Sequence, residues 1–374
     1  DGHRLRHVCA TKATNALSFK NRYGLLDRLV HRIAFATTWA QRGTADLEQR
    51  IFKKELAARE LGPPVLITGL PRAGTTILLE LLAKLDTFAA HTYRDMPFVL
   101  CPMLWDRISK PFQRNTAPQE RAHGDGIQLS LDSPEAFEEV LWKRFFANDY
   151  RNACIEPWSR CDDEEFVEFF ANHMRKIVAL RARKKPTANR YVSKNNLNIA
   201  RIPAIWTAVP EAIVLAPFRE PLQHAASLLR QHQRFSAMHR EDAFARRYMA
   251  GIGHYDFGSN LKPINFGNWF ANRSIDEATH IGFWIDYWIA AYQHVLAHAS
   301  HERLHLICFE ALGEAPDMSA LATQLQLPDA TALQESAKAL KPAKRHPTVT
   351  DNVDPTQLRK AQQLYAELRG LALL

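Results

Sequence analysis

Five cysteines (Cys9, Cys101, Cys154, Cys161, Cys308) in 374 residues, odd in number and without a Cys-x-x-Cys pair, exclude a disulfide framework. They point to a reducing, cytoplasmic compartment. No stretch approaches the roughly 18 consecutive apolar residues of a membrane span, and residues 1–15 lack the apolar core of a signal peptide. The chain starts at Asp1 without an initiator methionine, which leaves room for a removed upstream segment or anchor and for peripheral membrane contact. His-Glu-x-x-His, paired cysteines and an Asp-rich loop are all missing, so metal has no signature. Internal repeats and low-complexity tracts are missing too. With hydrophobic residues at 46% and charged ones at 24%, and Gly and Pro scattered, disorder, a collagen repeat and a pure coiled coil are excluded.

What is present is an excess of positive charge. Lys and Arg number 48 against 40 Asp and Glu, a net +8, and the sequence pI is near 9.2. Such a balance indicates an anionic partner: nucleic acid, membrane surface, polyanionic glycan or a phosphorylated small molecule.

Periodicity gives the organisation. Residues 1–60 read as a helical annex, with one apolar stripe of Leu26, Leu29, Val30 and Ile33 and a second of Leu47, Ile51 and Leu56. After Gly62-Pro63-Pro64, the run Val65-Leu66-Ile67-Thr68 suits a buried parallel strand, followed by a tight loop and a helix over 77–85. Ser133-Pro134-Glu135 reads as the start of a helix carrying Phe137, Val140, Leu141 and Phe145, and another helix is expected over 164–183. Residues 191–193, 212–216 and 304–309 read as further strands, the first two separated by a helix-like segment with Ile199, Ile202, Ile205 and Trp206. Strands alternating with helices imply an α/β protein with a parallel central sheet flanked by helices. The main domain is expected over 61–346, with an aromatic-rich insertion at about 238–271, and a last helix within 347–374 packs on it.

Gly69-x-x-x-x-Gly74-Thr75-Thr76 has the spacing of a nucleotide-binding P-loop, but Thr75 stands where that motif has Lys. A strand feeding a glycine loop into a helix N-terminus aims backbone N–H groups and the positive helix end at one point, which is an anion site. Without the Lys, a nucleoside triphosphate with Mg²⁺ fits poorly, and a ligand with fewer phosphate charges fits better.

The string Pro71-Arg72-Ala73-Gly74-Thr75-Thr76 resembles the 5′-phosphosulfate loop of sulfotransferases that use 3′-phosphoadenosine 5′-phosphosulfate (PAPS). Residues 213–221, with Arg219, and the following helix with Ser227 resemble that family's 3′-phosphate segment. Physically, Arg219 offers a forked donor at a strand's carboxyl end, and Ser227 lies about two turns into the next helix. Tyr191-Val192-Ser193-Lys194 is similar to the family's strand ending in Lys, and Cys308-Phe309-Glu310-Ala311-Leu312 to its late aromatic-Glu-x-Leu segment. The resemblance is closer to the bacterial and Golgi-type branches, since the late Arg-Lys-Gly signature of the cytosolic branch is missing.

The resemblance implies a P-loop-like fold and transfer of a sulfonyl group from PAPS to a hydroxyl or amine of a small-molecule, lipid or carbohydrate acceptor. The product is adenosine 3′,5′-bisphosphate, and no metal is required. Arg72, Ala73, Gly74, Thr75 and Thr76 would bind the 5′-phosphate, with Arg72 facing the leaving oxygen. Lys194 would be a second cation near the sulfonyl group, and Lys344 and Arg345, in the basic run from Lys341 to His346, would close over the 3′-phosphate or adenine. For the base, Asp95 falls where relatives carry Glu but is shorter, and His123, in a Gly-flanked loop with an acid two residues on, is the rival. His254 is a third candidate. His254, Tyr255 and Phe257, in the aromatic insertion, are candidates for the acceptor pocket. Nucleic acid becomes the weakest partner. The competing readings are a small-molecule P-loop kinase, disfavoured by Thr75, and a non-catalytic polyanion-binding protein using net charge alone.

Overall fold

Val65, Leu66 and Ile67 are all fully buried, and a strand with no polar face is stable only where both sides of its sheet are covered. The computed structural model, which describes residues 38–109, 119–120, 128–129, 132–314, 316–340 and 353–374, meets that demand. Its strands are β1 (Val65–Ile67), β2 (Phe88–Ala89), β3 (Gln119–Glu120), β4 (Gln128–Leu129), β5 (Arg190–Lys194), β6 (Ile213–Phe218) and β7 (Leu304–Cys308). β3 and β4 pair antiparallel apart from the rest, and the other strands form one parallel sheet in the order β2-β5-β1-β6-β7.

The principal helices are α1 (Thr38–Ile51), α2 (Thr75–Ala83), α3 (Glu139–Phe145), α4 (Glu164–Ala182), α5 (Pro221–Glu241), α6 (Ala243–Gly251), α7 (Ile281–Ala297) and α8 (Pro355–Leu371). The two-residue period of β1 divides them between its faces. Val65 and Ile67 pack with Leu78, Leu79 and Leu82 of α2 and with Leu321 and Leu325. Leu66 points into the larger core of Leu141, Phe170, Leu228, Phe235, Trp284 and Trp288, supplied by α3, α4, α5 and α7. Beyond α8, the Leu373 amide donates to Leu306 O at 2.9 Å and Leu374 O accepts from Cys308 N at 3.0 Å. These bonds cover the outer edge of β7, which would otherwise expose unpaired backbone. No helix among the described residues is long and apolar enough to cross a membrane.

The first annex stripe, the basic run from Lys341 to His346 and His123 lie outside the described residues. Other expectations need correction. In α1, Leu47 and Ile51 are 51% and 49% exposed, while Ala45 and Glu48 turn inward. Glu48 is buried because Lys176 of α4 pairs with it at 3.0 Å, and that charged pair is invisible to an apolar period. Ser133-Pro134-Glu135 does not start a helix: Pro134 bridges Thr92, Glu135 N donates to His91 O, and α3 begins at Glu139. The expected insertion consists partly of α5, running on to Glu241, and of α6. Its aromatics Tyr248, Tyr255, Phe257, Phe266 and Phe270 join the large core.

A buried polar network anchors the segment after β5. The Arg201 guanidinium donates twice to Glu139, each at 2.8 Å, and lies 4.6 Å from the Trp142 ring centre. Asn195 donates to Glu139 at 2.7 Å and to Asn198 at 3.0 Å, while Glu138 accepts from Ser193, Asn198 and Trp142. Removing one partner from such a buried network is costly to the groups left behind. Arg201→Met is therefore expected to lower the unfolding free energy by about 3–5 kcal/mol, by leaving Glu139 buried without its cation. Urea denaturation checks it, and the double variant Arg201→Met/Glu139→Leu should lose less than the single one.

Candidate active site at the carboxyl edge of the sheet

The loop from Gly69 to Gly74 leaves the carboxyl end of β1 between β5 and β6, the place where parallel sheets of this kind bind ligands. The strand ladder continues into it, with Thr68 N donating to Leu215 O and Asn195 N to Ile67 O, both at 2.9 Å. Arg72 (φ 73°) and Gly74 (φ 97°) take left-handed conformations, which turn the chain into α2. A Cβ on Gly74 would also lie 2.5 Å from Cδ2 of Phe309, so this position requires glycine twice over. From below, His224 holds the loop by donating from Nε2 to Pro71 O at 2.8 Å. Burial, followed by the charges of Arg219 and Arg72, pushes the His224 pKa down to about 3, so the ring is neutral.

Positive charge gathers beside the loop. Arg219, 7% exposed at the end of β6, lies over the Phe309 ring at 4.9 Å, and the same ring abuts Gly74. Arg72 Nε donates to Ser227 Oγ of α5 at 3.4 Å. Arg230, one turn beyond Ser227, joins them: burial and the charge of Arg72 lower its pKa. For Arg219, burial and the charges of Arg72 and Arg230 outweigh the pull of Glu310 and Glu220. Those two acids are shared with other partners. Glu310 sits 4.0 Å from Arg219 and accepts from Glu220 N and Tyr365, while Glu220 accepts from Gln223 N and from Gln362 of α8. Like charges held this close favour a bound anion.

On the other side of the loop, β5 ends at Lys194, which is in register with Ile67 of β1. The positive charge of Lys194 is felt by His254, which lies in the loop after α6, stacked on Phe235 at 5.1 Å. Burial first, then Lys194, lowers the His254 pKa against the opposing effect of Asp256 and Glu135. His254 Nε2 is 3.7 Å from Asp256 Oδ2. Gly253 (φ 81°) allows this loop to pass against the Glu139 side chain, where a Cβ would collide. The Thr75 hydroxyl donates to Asn196 Oδ1 at 3.3 Å.

The candidates from sequence therefore separate. Arg72, Ala73, Gly74, Thr75, Thr76, Lys194, Arg219, Ser227 and His254 come together around the loop. His123, Lys344 and Arg345 lie outside the described residues. Asp95 is misassigned as a base: only 2% exposed, its carboxylate is bound by the Arg181 guanidinium and by Thr92 N at 2.8 Å, with His91 at 3.3 Å. Arg181 and His91 hold its pKa well below the usual carboxylate range despite burial, so it is a poor proton acceptor. Phe257 is fully buried against Phe235 and Trp284, a core residue and no acceptor contact. Tyr255 is buried against Tyr150 and Lys143. Arg230, Asn196 and Asp256 were missed. Each had a local signal: Arg230 is three residues after Ser227 on one helix face, Asn196 two after Lys194, and Asp256 two after His254.

Residues 63–256 match the model of the sulfotransferase family. Among solved structures, the chain is similar to sulfotransferase STF9 from Mycobacterium avium, at 14% identity, covering 86% of this chain and 80% of that one, with a TM-score of 0.48. It is also similar to sulfotransferase STF1 from Mycobacterium tuberculosis H37Rv, at 13% identity, 91% and 83% coverage and a TM-score of 0.43. No curated protein matches.

The placement of Asp95 has a measurable consequence. Because its folded pKa is depressed, its stabilisation is present above the unfolded value of about 3.9 and is lost as pH falls below it. Asp95→Asn should therefore destabilise the protein at pH 7 and flatten the drop in thermal midpoint below about pH 4. An unchanged midpoint at pH 7 would contradict the pairing with Arg181.

Proposed function

Since the chain belongs to the sulfotransferase family, we propose that it moves a sulfonyl group from PAPS to a hydroxyl or amine, leaving adenosine 3′,5′-bisphosphate. The observation that carries this reading is the gathering of Arg72, Arg219, Arg230 and Ser227 beside a glycine loop at a helix N-terminus. It offers two adjoining anion sites. The loop amides and Thr76 suit a 5′-phosphate, and Arg219, Ser227 and Arg230 suit a 3′-phosphate. A small-molecule kinase is less well supported, since Thr75 replaces the P-loop Lys and its hydroxyl is held by Asn196.

The residues divide the chemistry among them. The acceptor oxygen or nitrogen forms a bond to sulfur as the bond from sulfur to the 5′-phosphate oxygen breaks, and the electron pair leaves with the phosphate. Arg72 and Lys194 stabilise the charge that builds there. His254, kept neutral by burial, takes the acceptor proton, and Asp256 stabilises the imidazolium that forms. The acceptor itself is a small molecule, lipid or carbohydrate that reaches the His254 side of the loop.

Thermal shift is the first test: adenosine 3′,5′-bisphosphate at micromolar concentration should stabilise the protein and ATP-Mg²⁺ should not. Arg219→Ala should abolish the shift, and no shift in the wild type would remove the donor assignment. For the base, His254→Ala should lower turnover by about 10²–10⁴-fold. The sign of the pH dependence follows from the depressed pKa: neutral His254 persists into mild acid, so the acidic limb of the wild-type profile should lie below about pH 6.5. A limb unchanged in His254→Ala would transfer the role to another group.

A further inference from the structure

The donor loop and the acceptor side meet at one amide. Asn196 Oδ1 accepts from the Thr75 hydroxyl at 3.3 Å, and its Nδ2 donates to Asp256 Oδ2 at 3.0 Å. That same carboxylate oxygen lies 3.7 Å from His254 Nε2. The backbone oxygen of Asn196 also accepts from the Thr68 hydroxyl at 3.4 Å, which fixes it to the end of β1. Resting on the sulfotransferase reading, we propose that Asn196 is a positioning residue that ties the phosphate loop to Asp256 and so sets His254 against the group being transferred.

Two features make the amide specific. First, its orientation is dictated: the NH₂ must face the carboxylate and the oxygen the hydroxyl, because the reverse would set oxygen against oxygen. An acid of the same size satisfies Thr75 but repels Asp256, and a small apolar residue satisfies neither. Second, its backbone is held firmly. Asn196 opens a 3₁₀ turn, Asn196–Arg201, capped by the Asn195 side chain, which accepts from Leu197 N at 3.1 Å and donates to the buried Glu139 at 2.7 Å. Arg201, at the end of the same turn, is locked to Glu139 as well. The buried network thus holds a short, stiff element whose first side chain spans the two halves of the site. Positioning of this kind affects rate more than binding, since misplacement by an ångström is costly to an in-line transfer.

The test compares wild type, Asn196→Ala and the isosteric Asn196→Asp. Affinity for adenosine 3′,5′-bisphosphate is measured by calorimetry, and release of that product from labelled PAPS is followed with water as the acceptor across pH. Asn196→Ala should bind the bisphosphate within about threefold of wild type and release product 10- to 100-fold more slowly. Asn196→Asp should lose at least as much rate, and its acidic limb should move up in pH, because a second carboxylate beside Asp256 favours protonated His254. A rate within twofold of wild type in both variants overturns the proposal, as does a loss confined to bisphosphate affinity. Failure of the wild type to bind the bisphosphate would instead strike the donor reading, so the two failures are distinguishable.

Discussion

Three guanidiniums crowded at the carboxyl edge of β1 and β6 repel one another, and the surrounding structure is arranged to hold them there. Loss of water adds to the cost, fully at the buried Arg219 and in part at the more exposed Arg230, and lowers both pKa values. The arrangement is held in place by its neighbours. Phe309 supports Arg219 from the glycine side, Ser227 accepts from Arg72, and the nearby carboxylates of Glu220 and Glu310 are bound to backbone amides and to α8. A dianionic group entering here gains from both the loop amides and the forked donors. The doubly covered sheet makes such an edge rigid enough to sustain the charge.

The opposite half of the site has the contrary electrostatics. His254 lies among Asp256, Glu135 and Lys194. Tyr93 donates to Glu135, and the strand-like pairing of Thr92 with Pro134 brings that acid inward. Charge of one sign for the leaving group and of the other for the proton is what a transfer reaction requires on its two sides. Asn196 lies at the boundary, bonded to both.

Local features made the donor half legible in the sequence. An uninterrupted apolar triplet between Pro63-Pro64 and a glycine loop suits a buried strand feeding a helix, and Lys194 and Arg219 declare themselves as charges at the ends of two more such strands. The acceptor half depends on contacts with no local trace. Thr75 and Asn196 are 121 residues apart, and Asn196 and Asp256 are 60 apart. Asp95 misled for the same reason: an acid in a loop reads alike whether or not an arginine 86 residues away claims it. Buried charges such as Glu48, Glu139 and Arg201 likewise defeat an apolar period, because their burial is set by partners on other elements. In the aromatic segment, Phe257 serves the core rather than an acceptor pocket.

The central claim is that two separate phosphate groups are recognised, one by the loop and one by Arg219, Ser227 and Arg230. Calorimetric titration of adenosine 3′,5′-bisphosphate against adenosine 5′-phosphate, which lacks only the 3′-phosphate, tests it most directly. Removal of that phosphate is expected to weaken binding by about 100-fold, the loss of charge-assisted hydrogen bonds to the buried Arg219 and the neighbouring Arg230. Equal affinities for the two nucleotides would contradict the claim.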